Sequence, residues 1–233
     1  MKLKLVILTF IGTVSVTLAQ SPTPTPSPIE APSASPSPTP SASASVRTVP
    51  LRFVPPPMDG TISLGIWDSN DKLVRVLYRE AKIDKFTVEE NSLSTTWDGK
   101  NDAGENLPPG KYRARGYVVG NLKIEDPGTV TSAPERVVDH ISVKLVMNPL
   151  ISDTRAVMEL GVGFDSNGTF LKTMDDLPLL SLTNAINITR VAIEKDGEKA
   201  AQIWQDDGTV VKQLRVSNID KMIAFDCGFF ELR

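Results

Sequence analysis

From Leu51 onward, apolar and polar residues alternate in short runs along most of this chain. In "GTISLGIWD", Ile62, Leu64 and Ile66 fall on one face, the period-two signal of a half-buried strand. "DSND" (68–71) is turn chemistry, and "KLVRVLY" resumes as a second strand with Val74 and Val76 on one side. "FTVEENSLSTTWDG" carries another pair of runs ending at Trp97. "GKYRARGYVVG" sets Tyr112, Ala114, Gly116 and Val118 against Lys111, Arg113, Arg115 and Tyr117. "RVVDHISVKLV" (136–146) reads as a strand that closes or leaves this set. None of these segments has the three-four spacing of an amphipathic helix. Short strands at this turn spacing predict an all-β chain, with a β-sandwich over residues 51–148.

A second β-rich region is expected over 149–233, and it holds a weak internal repeat. "GFDSNGTFLK" (163–172), "AIEKDGEKAAQ" (192–202) and "WQDDGTVVKQL" (204–214) each run apolar, acidic, Gly, then apolar toward Lys or Gln. Asn167-Gly168, Asp196-Gly197 and Asp207-Gly208 are the dipeptides demanded by hairpin turns with positive φ. Consecutive hairpins of this kind loosely resemble β-propeller blades. A propeller takes about four or more blades, however, and about eighty residues make between one and two. The region therefore reads as an independent small β-domain, with a blade shared between chains or a truncated larger protein as alternatives.

Before the strands the pattern is different. "MKLKLVILTFIGTVSVTLAQ" places Lys2 and Lys4 ahead of an apolar run and small residues near Ala19, the order of a secretory signal peptide. The apolar run is shorter than the ~20 residues of a membrane span, so cleavage is expected, with residues 1–19 removed and no transmembrane segment left. Residues 20–50 alternate Pro with Ser, Thr and Ala and present no apolar face, which predicts a disordered linker of polyproline II character. At ~3.1 Å per residue it would reach on the order of 90 Å. Hydroxyls beside prolines also suit O-linked sugars.

Charge and cysteine narrow the function classes. Loss of Lys2 and Lys4 takes the formal charge from −3 to −5, which argues against a nucleic-acid partner. A single cysteine, Cys227, makes no intrachain disulfide, so this exported fold stands on packing alone.

One stretch is more specific than the rest. Residues 60–118, through "ISLGIWDSNDKLVRVLY" and then "TTWDGKNDAGENLPPGKYRARGY", resemble the immunoglobulin-like domain of the flagellar hook-capping protein (FlgD), a module appended to many exported bacterial proteins. The resemblance implies an immunoglobulin-like or fibronectin-like sandwich with Trp97 as its buried inter-sheet aromatic. It further implies that Asp98 and Gly99 start a hairpin, Gly104 supplies a turn, and Pro109-Gly110 set up a strand with Tyr112 packed inward. It does not imply a hook cap, because that family lacks a cleavable secretory signal and carries an assembly segment where this chain has its linker. A calcium loop is the rival for "DGKNDAGE", but counting from Asp98 puts Lys100, Ala103 and Pro109 where oxygen, Gly and Glu are required. Counting from Asp68 puts Arg79 at the last position and fails as well. No metal is expected.

Residues able to do chemistry are sparse and scattered. His140 is the one histidine, beside Asp139 in a strand pattern, and Cys227 has no second thiol or local cation. Asp175-Asp176 and Asp206-Asp207 could supply a carboxylate pair for glycoside hydrolysis, yet both sit in turn-like contexts. Of Trp67, Trp97 and Trp204, Trp67 lies opposite Ile62, Leu64 and Ile66, so it is expected to be exposed and is the candidate binding residue. The expected function is non-enzymatic and without cofactor: an exported bacterial envelope or surface protein whose partner is a protein or polysaccharide. The alternative is a carbohydrate-binding accessory subunit, or a fragment of a larger exported propeller protein or hydrolase.

Overall fold

The alternation between polar and apolar positions resolves into fifteen antiparallel strands and one 3-10 turn in the computed structural model, which describes residues 47–133, 138–150 and 153–233. The expected signal peptide, residues 1–19, and the expected linker up to residue 46 lie outside the described residues. The last linker residues do not: β1 (Val49–Phe53) already begins at Val49.

The first sandwich uses β1, β2 (Thr61–Trp67), β3 (Leu73–Ala81), the 3-10 turn Ile83–Lys85, β4 (Thr87–Glu89), β5 (Ser92–Trp97) and β6 (Gly110–Val119). The second is built from β7 (Lys123–Val130), β8 (His140–Lys144), β9 (Val157–Asp165), β10 (Gly168–Thr173), β11 (Pro178–Thr183), β12 (Arg190–Lys195), β13 (Ala200–Asp206) and β14 (Val211–Ser217). The last strand, β15 (Met222–Leu232), returns to the first sandwich. The sheets run β1-β5-β4 and β15-β6-β2-β3 in the first sandwich, then β11-β10-β9-β8 and β12-β13-β14-β7 in the second.

The chain is thus all-β and built of sandwiches, but the two are nested rather than consecutive. The expected boundary at 148/149 falls at no break: β7 and β8 pair with β14 and β9, and β15 pairs with β6 from Met222↔Val119 to Leu232↔Gly110. The second sandwich is an insertion between β6 and β15, and the two crossing points touch where Gly120 N–H donates to Lys221 O at 2.9 Å. Period-two alternation says which face of a strand is apolar, and it leaves open which edge the strand will occupy.

The repeated hairpins do form, as β9–β10, β12–β13 and β13–β14, but they do not stack as blades. They split between two facing sheets around one core of Leu160, Leu171, Leu179, Ile203 and Val216, which corrects the propeller-like expectation. In each turn only the glycine is left-handed, and the preceding Asn or Asp is not. At two of the three an aspartate does the organising: Asp165 accepts from Asn167 N–H at 2.7 Å, and Asp206 accepts from Gly208 N–H at 2.8 Å.

Sheet β15-β6-β2-β3 is buried on both faces. Ile62, Leu64, Ile66, Tyr112, Ala114 and Phe225 enter the first core. Trp67, Tyr117, Val119, Met222 and Ala224 enter the second. Phe225 stacks on Phe53 at 4.3 Å, tying the returning strand to β1 across the sandwich.

Candidate functional site

The "WDG…PPG" stretch closes one end of the first sandwich. Trp97, at the end of β5, is fully buried, its rings edge-on to Tyr112 at 5.3 Å and Phe230 at 5.7 Å. Its indole N–H donates to Lys100 O at 2.9 Å, so the polar handle is satisfied by the loop that follows. Asp98 Oδ1 accepts from Lys100 N–H at 3.1 Å, and Gly99 takes φ 73°, a left-handed conformation in which its carbonyl receives Leu107 N–H at 2.9 Å. Gly104, at φ 80°, closes the polar turn by donating to Asn101 O at 3.1 Å. Pro109 leads into β6 at Gly110, which is not left-handed, and Tyr112 turns inward with its hydroxyl donating to Pro108 O at 2.8 Å. Within the loop, Asn101 Nδ2 donates to Glu105 Oε2 at 2.8 Å, while most of its residues stay exposed. Asp102, part of the "DGKNDAGE" run weighed as a calcium loop, accepts from Val76 N–H at 3.1 Å and covers part of the edge of β3. Among the described residues, no group of three His, Cys, Asp or Glu is placed to hold a metal.

Trp67 is not at the surface. It is 0% exposed, which corrects the expectation of an accessible ring. Its face of β2 is opposite Ile62, Leu64 and Ile66 as the alternation requires, but the inserted sandwich covers that face. The ring lies back over Gly65, where a Cβ would come within 2.7 Å of it. The Arg115 guanidinium, on the strand beside Gly65, lies over the ring at 4.3 Å. The clue was in the sequence: "ISLGIW" is nearly apolar throughout, the mark of a strand buried on both faces. Trp204 is also buried, against Ala192 and Val211 on the outer face of its sheet.

The remaining chemical candidates stay apart. His140 is exposed, with Nε2 3.8 Å from Glu159. Burial pushes the Cys227 thiol up to about 12, and the Asp226 carboxylate adds to the effect, so no thiolate forms at neutral pH. Asp175 binds Arg115 at 2.6 Å while Asp176 pairs with Lys172, so the two neighbours serve different partners. Asp207 accepts backbone N–H bonds from Val210 and Thr209, which hold its carboxyl below the usual range.

What tertiary structure does assemble is a polar seam between the sandwiches. Glu80, left-handed at φ 51°, accepts from Ser181 N–H at 2.7 Å and from its hydroxyl at 2.5 Å. Arg79 stacks on Phe170 at 4.4 Å and binds Asp165 at 3.1 Å. Arg115 bridges Trp67 to Asp175. Arg155 lies over Tyr117 at 5.2 Å, binds Asp153 at 2.7 Å and donates to Phe225 O on the returning strand. Burial raises the cost of ionising Asp153, but the Arg155 hydrogen bonds and charge outweigh it and hold the carboxyl below its ordinary value. A cavity of about 460 Å³ opens beside Lys144, Val146, Lys195, Lys199 and Asp220, where Lys199 and Asp220 already pair at 3.1 Å.

Comparison with known proteins gives little beyond this geometry. No family model matches the chain, and no curated protein matches it. Among solved structures, truncated FlgD (monoclinic form) from the human pathogen Helicobacter pylori is similar over 80% of this chain and 83% of its own, at 13% identity and a TM-score of 0.26. A likeness at that score carries no argument about site or function.

Proposed function

We propose that this is an exported, non-enzymatic protein of a bacterial envelope, in which two interlocked sandwiches form a stiff structural or adhesive unit at the end of a Pro/Ser/Thr tether. The observation that carries this reading is the seam. Five charged residues are engaged as struts between the two sandwiches: Arg79, Glu80, Arg115, Asp165 and Asp175 each hold a partner across it. Such pairs, partly buried and hydrogen-bonded, serve rigidity and specificity of docking better than turnover. The signal-like N-terminus and the tether composition support export. The Trp97-Asp98-Gly99 and Pro109-Gly110 pattern supports an immunoglobulin-like module of the type appended to exported proteins. The carbohydrate-binding alternative loses its candidate residue, since Trp67 is enclosed.

Fractionation of the native host with N-terminal peptide mapping tests the proposal. The expected product is a chain starting at Gln20, in the envelope fraction and digestible by protease added outside the cytoplasmic membrane. A chain that keeps Met1–Ala19 and stays with the cytosol would overturn it. Retention on a polysaccharide column would replace it with the accessory-subunit reading.

A further inference from the structure

We propose that Asn187 is an acceptor for an N-linked oligosaccharide; the inference rests on the export reading above, because the donor lies beyond the cytoplasm. The chain carries two Asn-x-Thr triplets without an intervening proline, Asn167-Gly168-Thr169 and Asn187-Ile188-Thr189. This is the pattern by which a transferase selects an asparagine amide in an exported chain.

The fold separates the two triplets sharply. Asn167 sits in the tight β9–β10 hairpin, and its Thr169 is 0% exposed, laddered to Phe164 on one side and Thr183 on the other. An enzyme reaches that threonine only if β10 leaves its sheet. Asn187 lies in the stretch between β11 and β12, outside both ladders, and is exposed. Its left-handed φ of 63° makes it a turn residue, and among the described residues its side-chain amide makes no hydrogen bond. Thr189 is exposed too, with its hydroxyl donating to Asp206 O at 2.9 Å. Beside them Ile186 is 68% exposed, an apolar side chain that a sugar at Asn187 would shelter. Asn187 is therefore open to modification in the folded protein, whereas Asn167 is open only before β10 pairs.

The step is a substitution at carbon. Nδ2 of Asn187 bonds to the anomeric carbon of a lipid-pyrophosphate-linked oligosaccharide, and the bond from that carbon to the phosphate oxygen breaks. The pyrophosphate leaves with the electron pair, and the amide proton passes to a base of the transferase. Nothing is oxidised or reduced.

Trypsin separates the two sites, since Ala156–Lys172 contains Asn167 and Thr173–Arg190 contains Asn187. Mass spectrometry of the full chain purified from its host envelope is expected to find Thr173–Arg190 carrying a saccharide on Asn187, at higher occupancy than Ala156–Lys172. The adduct should vanish in Asn187→Asp and Thr189→Ala and persist in Thr189→Ser, with all three variants exported normally. A mature chain beginning at Gln20 with unmodified Asn187 refutes the glycan while leaving export intact. A chain that keeps Met1–Ala19 and is found only in the cytosol refutes both. Equal occupancy at Asn167 and Asn187 also refutes the claim that folding selects the site.

Discussion

Trp67→Ala should be among the most damaging single changes in this protein, although sequence alone marks Trp67 as a surface residue. The ring is fully enclosed between Gly65, Arg115 and the second core. Truncating a buried aromatic to alanine costs about 3–5 kcal/mol. Loss of the ring face under Arg115 adds about 0.5–2 kcal/mol. Against a total stability of about 5–15 kcal/mol, the variant loses from about a quarter of the margin to all of it. In a folded unit of this size, about 4 kcal/mol corresponds to a fall in melting temperature of about 8–16 °C. Trp67→Phe separates packing from chemistry. Among the described residues the indole N–H of Trp67 is buried without a hydrogen-bond partner, and phenylalanine, like alanine, removes this donor, whose desolvation costs about 1–3 kcal/mol. It also gives up a similar amount in ring volume, so Trp67→Phe should lie within about 1 kcal/mol of the parent. Urea unfolding followed by far-ultraviolet circular dichroism reads both variants. A single shifted transition is expected, because Trp67 belongs to the core that β7–β14 build, while its strand also forms the first. A near-neutral Trp67→Ala, or a melt that splits so that only one sandwich weakens, would refute the reasoning.

Trp97→Ala should likewise cost about 3–5 kcal/mol, and Asp98→Ala about 1 kcal/mol for its lost acceptor, in thermal melts indifferent to calcium or chelator; the reverse order, or a calcium-dependent midpoint, would point to a metal loop. Gly110→Val should change stability by less than about 0.5 kcal/mol, since Gly110 is not left-handed and a Cβ there would meet nothing closer than Tyr112 at 3.9 Å. Removing Met222–Leu232 strips the edge of β6 and takes Phe225 out of the first core, so the shortened chain should lose its cooperative melt; a folded remainder of normal stability would contradict the nested topology. Native Cys227 should resist iodoacetamide at pH 8 and react once the chain is unfolded. Because its folded pKa is raised from 9.0 to about 12, the folded state keeps the proton longer, so this contribution to stability is full below about pH 9 and is lost as pH rises toward 12.

Local chemistry determined much of this protein from the sequence alone. Alternation in "GTISLGIWD" and "GKYRARGYVVG" assigned β2 and β6 and the faces they present, because a strand's side chains must point to opposite sides. The resemblance around Trp97 marked Gly99 and Gly104 as turn glycines, and both are left-handed, while Asp-Gly and Asn-Gly marked the later hairpins. Partner choice was beyond its reach. The Met222–Leu232 strand reads the same whether it ends a second domain or completes the first, because hydrophobic pattern encodes a buried face and carries no address for the neighbouring edge. Trp67 looked exposed because it stands opposite Ile62, Leu64 and Ile66; the nearly apolar run "ISLGIW" hinted at a second cover, but not that a sandwich contributed by residues more than fifty positions away supplies it. The seam of Arg79, Glu80, Arg115, Asp165 and Ser181 was equally hidden. Each of those residues is ordinary in its own segment, and only the insertion of one sandwich into the other brings their charges within hydrogen-bonding reach.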